Sequence, residues 1–121
     1  MAVTVTNQSN PLGAKLVQDT SAAGTAIDNT TGASGTLYAV EVDNTANASA
    51  VYFKMADSTN ATAGTTAAHI CLMCDGSTKI NYVFPTGIAF SNGFSHWCVT
   101  AAAESNTSSP GSAVVARYVT S

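Results

Sequence analysis

Residues 35–57 read GTLYAVEVDNTANASAVYFKMAD, and this stretch decides the fold class. In each of two runs within it, every second residue is apolar. These residues are Tyr38, Val40, Val42, Val51, Phe53 and Met55. Successive side chains of a strand point to opposite faces, so the spacing predicts two strands, each with one core-facing row. The polar linker at 43–49 predicts that the two strands pair as a β-hairpin.

A hairpin alone is marginally stable in water, so the rest of the chain must supply more strands and a second layer. Short β-prone runs separated by turn-forming residues do occur on both sides. They cover residues 2–6, 15–19, 25–28, 69–74, 79–84, 88–90, 94–100 and 113–119. The sequence therefore predicts an all-β, single-domain β-sandwich or jelly roll of about 7 to 10 short antiparallel strands. We assign residues 1–14 to an N-terminal arm with a short strand and residues 15–121 to the sandwich domain.

Three more specific expectations concern some of these runs. HICLMC, residues 69–74, is apolar on both faces, which predicts either a strand buried between the core and a covering partner or a central strand of the sandwich. Residues 15–19 and 25–28 are weak strand formers, and we expect them at a sheet edge. Pro85-Thr86-Gly87 is expected to separate two short strands.

Five apolar residues fall opposite the expected core rows. They are Leu37, Tyr52, Val83, Val115 and Val119. Their number predicts that part of one sheet is covered by another subunit. The alternative is that the core has been assigned to the wrong strand faces.

Charged residues make up 9% of the 121 residues, against about 25% in an average soluble domain. A surface with so few charges resists close approach of neighbours weakly, which favours assembly. The four basic residues are scattered, so no basic stripe predicts nucleic-acid binding. No apolar run reaches the roughly 20 residues that span a bilayer, and no secretory signal follows Met1. We expect no membrane partner and synthesis in a cytoplasm.

The histidines and cysteines are the candidate metal ligands. Cys71 and Cys74 have the CxxC spacing, but an offset of three on a strand sends the two thiols to opposite faces. His69 with Cys71, and His96 with Cys98, would each share one strand face. A Cys2His2 zinc site is possible if those two strands are neighbours, whereas the alternative is that the cysteines are core residues. The favoured prediction is no metal site, with the role of the cysteines open.

Other chemistry has weaker signals. Six carboxylates lie mostly in turns or on solvent-facing strand positions, without an apolar pocket around any pair. They are Asp28, Glu41, Asp43, Asp57, Asp75 and Glu104. Neither a nucleophile elbow, a phosphate loop nor an HExxH motif is present, so we predict no catalytic residue, no cofactor and no enzyme. Trp97 with Tyr82, Phe84, Phe90 and Phe94 suggests a sugar-binding platform, but the favoured interpretation is a hydrophobic core.

Residues 82–119, YVFPTGIAFSNGFSHWCVTAAAESNTSSPGSAVVARYV, together with residues 35–57, resemble a group of small virion proteins of tailed bacteriophages, including cyanophages. The similarity lies in the LYAVEVDNTAN and VYFKM runs, the FPTGIAFSNGF turn and strand, and the Ala- and Ser/Thr-rich segment before the last strand. It covers roughly residues 35 to 119.

This resemblance implies a capsid decoration, or cement, protein that binds the head shell. The implied partner is the major capsid protein, the implied assembly is a homotrimer, and the implied location is the capsid surface of the virion. The N-terminal arm would then pair with a neighbour by strand addition. The alternatives are a tail, fibre or baseplate component and, less favoured, a carbohydrate-binding module.

Overall fold

A computed structural model describes residues 2–7 and 14–121, and within these ranges the protein contains eight strands and no helix. The strands are β1 (Val3–Asn7), β2 (Lys15–Ala22), β3 (Gly35–Asp43), β4 (Val51–Asp57), β5 (Ile70–Cys74), β6 (Lys79–Phe90), β7 (Phe94–Val99) and β8 (Val114–Thr120). The all-β prediction is confirmed. Accordingly, no helix long and apolar enough to cross a membrane occurs in the described part of the chain.

Two antiparallel sheets pack against each other as a β-sandwich. The larger has five strands in the order β1-β2-β8-β3-β6, and the smaller has three in the order β5-β4-β7. Apolar side chains from both sheets form one core between them. Phe53 of β4 is central to it, with its ring 6.3 Å from that of Tyr118 of β8 and 5.3 Å from that of His96 of β7.

The predicted hairpin at residues 35–57 is wrong, because β3 and β4 belong to different sheets. The linker between them crosses from one sheet to the other, and the side chain of Asn44 fixes that crossing. Its Nδ2 atom lies within hydrogen-bond distance of the carbonyl oxygens of Ser49, Cys74 and Asp75, at 2.9, 3.3 and 3.1 Å. Asn44 is fully buried, so these contacts replace those it would make with water.

A β-bulge changes which side of β3 faces the core. The register of β3 against both of its neighbours shifts between Leu37 and Ala39. Val40 and Val42 are buried in the core as predicted, but Leu37 is fully buried while Tyr38 is only partly buried. The core assignments of Tyr38 and Leu37 are therefore reversed, since the extra residue of a bulge moves the preceding side chains to the other face.

Three other local expectations are wrong. β5 is an edge strand in which Met73 is 44% exposed, rather than a strand buried on both faces. β2 is an inner strand between β1 and β8, whereas residues 25–28 do lie at a sheet edge, where Ile27 forms a single antiparallel bridge with His96 of β7. β6 continues through Pro85 as one strand, which is possible because a proline is tolerated on the edge of a sheet.

The N-terminal strand β1 pairs with β2 of the same chain. It lies at the edge of the five-stranded sheet, so its other side is available for the predicted strand addition. Met1 and residues 8–13 of the predicted arm lie outside the described residues.

Candidate functional site

The proposed Cys2His2 site is not formed. β5 and β7 lie on opposite sides of β4, so the pair His69 and Cys71 is separated from the pair His96 and Cys98 by a strand. Their side chains also have different surroundings: His69 accepts a hydrogen bond from the backbone N–H of Asp57, whereas His96 is buried in the core. Among the described residues no group of three or more His, Cys, Asp or Glu side chains could hold a metal ion.

The two thiols of the CxxC motif are on opposite faces of β5. Cys71 is exposed and pairs in register with Lys54, whereas Cys74 is buried and its Sγ atom lies 3.6 Å from the carbonyl oxygen of Val42. Burial raises the pKa of Cys71, and burial with like-charge neighbours raises the pKa of Cys98 to about 12. Both shifts disfavour the thiolate, which is the reactive form of cysteine.

His96 belongs instead to a buried chain of hydrogen bonds between the sheets. Its Nε2 atom lies 2.8 Å from Asp19 Oδ2, and its Nδ1 atom lies 2.9 Å from the Tyr118 hydroxyl. That hydroxyl also contacts Thr30 Oγ1, which donates to the carbonyl oxygen of Phe94 at 3.0 Å. Burial raises the pKa of Tyr118 despite the Thr30 contact, so the phenol stays protonated.

This carboxylate, imidazole and hydroxyl have the arrangement of a nucleophilic relay, but they cannot act on a substrate. Asp19 and His96 are fully buried, and Tyr118 is 1% exposed. This chain of hydrogen bonds joins β2 and β8 of one sheet to β7 of the other, so it fixes how the two sheets stack. Sequence reasoning missed Asp19, although its position two residues after Val17 in β2 puts both side chains on the core face.

Two of the carboxylates singled out in the sequence hold turns or loops. The two oxygens of Asp57 accept hydrogen bonds from the backbone N–H groups of Ser91, Asn92 and Gly93, in the turn between β6 and β7. Burial alone would raise the pKa of Asp57, but these three donors hold it below its usual value. Hydrogen bonds from the hydroxyl and the backbone N–H of Thr45 lower the pKa of Asp43 in the same way.

The aromatic residues form core rather than a sugar-binding platform. Phe90, Phe94 and Trp97 are at most 4% exposed, which confirms the favoured interpretation for these three. A polar cleft of about 540 Å³ lies near Trp97, between the loops at residues 24–28, 60–63 and 107–109. Among the described residues that line it none is aromatic, and its one carboxylate, Asp28, already accepts the Ala61 N–H at 2.8 Å. A sugar would have no ring to stack on there.

The outer side of the five-stranded sheet, which we call the open face, is the remaining candidate. Register across β2, β8, β3 and β6 aligns four apolar side chains in one row. They are Leu16, Val119, Ala39 and Val83. They line a groove of about 380 Å³, and Val83 is 62% exposed. Leu16, Ala39 and Val119 are partly buried, and an aligned apolar row that is left uncovered on a sheet is typical of a contact surface.

A polar row runs beside this apolar row on the open face. It consists of Gln18, Arg117, Glu41 and Asn81. Arg117 donates from Nε to Gln18 at 3.0 Å and from Nη1 to Glu41 at 2.7 Å. Lys79 Nζ lies 3.9 Å from the other oxygen of Glu41. Glu41 thus lies between two cations, Arg117 and Lys79.

The predicted outward apolar residues have three different outcomes. Val83, Val115 and Val119 lie on the open face, as expected. Leu37 is in the core. Tyr52 faces outward from the three-stranded sheet, but it packs with Trp97 beneath alanine-rich loops of the same chain.

Comparison of the chain with protein-family models, with curated proteins and with solved structures finds no match in any of the three.

Proposed function

We propose that this protein is a structural component of a tailed-phage virion, a capsid decoration protein that binds the assembled head shell and stabilises it. The sequence resemblance described above motivates the assignment. The observation that carries it is the open face, where an apolar row remains at least partly exposed in a chain with 9% charged residues. Such a surface is suited to contact with a neighbouring subunit of an assembly rather than to chemistry.

The physical mechanism of a decoration protein requires only selective binding. A protein that binds the assembled shell better than free capsid subunits stabilises the shell by mass action. Many weak contacts on a symmetric lattice add up by avidity, so each contact surface can be small. The partner in this proposal is the major capsid protein, and the location is the outer surface of the virion.

A decoration protein also benefits from a contact surface of fixed shape. The buried chain from Asp19 through His96 to Tyr118 links the two sheets, and Asp57 pins the turn that joins β6 to β7. Buried polar contacts of this kind favour one stacking of the sheets over shifted alternatives. This rigidity supports a docking role, since a surface that holds its shape loses little entropy on binding.

Immunolabelling of intact phage particles tests the proposal. Antibodies against the purified chain would be applied to particles of the phage that encodes it and located by electron microscopy. Label over the head surface is the expected result. Label confined to the tail would replace the proposal with the tail, fibre or baseplate alternative, and particles that lack the protein would overturn a virion role.

A further inference from the structure

We infer that the open face binds the open face of a second copy of this chain, with a two-fold axis that runs parallel to the strands between β8 and β3. Such an axis places β8 of one copy over β3 of the other, and β2 over β6. The inference concerns the chain alone and does not depend on the virion assignment.

The apolar row is complementary to itself under this rotation. Val119 of one copy lies over Ala39 of the second, and Leu16 lies over Val83. Ala39 is the small member of the row and sits between Val119 and Val83, so it forms the floor of the groove that a valine of the other copy can enter. Alternation of large and small side chains is what lets facing sheets interdigitate.

The polar row is complementary as well. The same rotation places Arg117 over Glu41 of the second copy and Gln18 over Asn81, each contact occurring twice. Within one copy the Arg117 and Glu41 side chains are 39% and 25% exposed, so both have surface left for a second partner. Opposite charges across a symmetric interface fix its register and exclude others. In the next row, which contains Val115, Asp43 and Lys79, the rotation places Val115 over Asp43 of the second copy. An apolar side chain over a carboxylate is not complementary, so the contact should end before this row.

The size of this surface predicts a weak association. Four strands about 4.8 Å apart and two rows about 7 Å apart cover on the order of 300 Å² per copy. Stable interfaces bury roughly 800 Å² per partner. We therefore expect a weak dimer that forms only at high protein concentration and gains strength only where other contacts hold copies close together.

Charge reversal tests the two-fold match. The variants are Glu41→Arg and Arg117→Glu, examined by sedimentation velocity from micromolar to millimolar concentration. Each variant alone places like charges across the axis and should weaken dimerisation by at least about tenfold. An equimolar mixture of the two places Arg over Glu at both sites, so heterodimers should form at the affinity of the original protein. Loss of the bond within one chain cannot produce this recovery.

A second pair of variants separates docking from folding. Val83→Lys on the open face should abolish dimerisation, whereas Met73→Lys, at an exposed position on β5 of the other sheet, should leave it unchanged. Circular dichroism checks that every variant is folded. The inference is overturned if the original chain stays monomeric at millimolar concentration, if folded charge variants fail to associate when mixed, or if a trimer forms that neither reversal affects.

Discussion

The outer sides of the two sheets differ in whether loops cover them, although both carry apolar side chains. On the three-stranded sheet, Trp97 and Tyr52 are covered by the chain's own loops, with Ala61 and Ala63 packed against them. On the five-stranded sheet, no described loop covers the row that ends at Val83, which is 62% exposed. The long connections of the described chain pack on the outer side of the three-stranded sheet and leave the open face uncovered. This difference supports the proposal that the open face is the contact surface.

Lys54 shows how complete the cover is. It lies in the middle of the covered face with 1% of its surface exposed, and its Nζ atom donates to the carbonyl oxygen of Ala103 at 2.8 Å. The carbonyl belongs to the loop that follows β7, so this hydrogen bond holds the loop down on the sheet. A cation buried in this way would be unstable without such a partner.

Of the substitutions that compare the two faces, truncation of Trp97 should lower the free energy of unfolding most. Trp97→Ala removes the side chain on which the covering loops pack, and we expect it to lower the free energy of unfolding by about 3 to 5 kcal/mol. Val83→Ala on the open face should change it by less than about 0.5 kcal/mol. Urea denaturation measures both. Equal effects would contradict the distinction between a covered and an open face.

The buried link between the sheets should come next. Asp19→Ala leaves His96 without its carboxylate and the Ser21 N–H without its acceptor, so we expect a loss of about 3 kcal/mol in unfolding free energy. Asp75→Ala, at an exposed turn position, is the matched control and should be nearly neutral. If the two variants unfold at the same urea concentration, the buried hydrogen bonds of Asp19 and His96 do not hold the sheets together.

Asp57 should show a smaller effect that depends on pH. Its folded pKa is depressed, so its contribution to stability is complete above the unfolded value, near 4, and is lost as the pH falls through the folded value. Asp57→Asn should therefore cost about 1 kcal/mol at pH 7 and less in acid. Thermal unfolding of both proteins between pH 7 and pH 3 tests this, and a difference that is constant with pH would refute it.

Thiol labelling sharpens the comparison without changing stability. Cys71 is exposed on the edge strand, whereas Cys74 and Cys98 are buried. At pH 8 a thiol reagent should modify Cys71 alone in the folded protein, and all three cysteines after denaturation. Peptide mapping identifies the modified residue. Rapid labelling of Cys98 in the folded state would mean that the three-stranded sheet opens readily.

The strands with regular alternation could be predicted from the sequence. Val51, Phe53 and Met55 of β4, like Val114, Ala116 and Tyr118 of β8, are buried as their period of two indicates. The partners of those strands could not be predicted. The linker at residues 43–49 suits a hairpin loop or a crossing between sheets, and the strand pairing shows that it is a crossing in which Asn44 is buried.

The candidate surface was predictable only in part. Val83, Val115 and Val119 could be placed on outward faces from alternation, but their alignment depends on strand register, which one sequence does not contain. The bulge after Leu37 has no marker such as glycine, so the burial of Leu37 was missed. Asp19 was overlooked because a lone carboxylate in a weak strand is usually solvent-exposed, and its partners His96 and Tyr118 are distant in sequence.

Amide chemical shifts followed during concentration of the ¹⁵N-labelled protein test most directly whether the open face is the contact surface. The account predicts shifts that change with concentration in β2, β8, β3 and β6, around Val119 and Val83, while the amides of β4 and β7 stay constant. Shifts that move at the edge of β5 or over the covering loops, or none at all up to millimolar concentration, would contradict it.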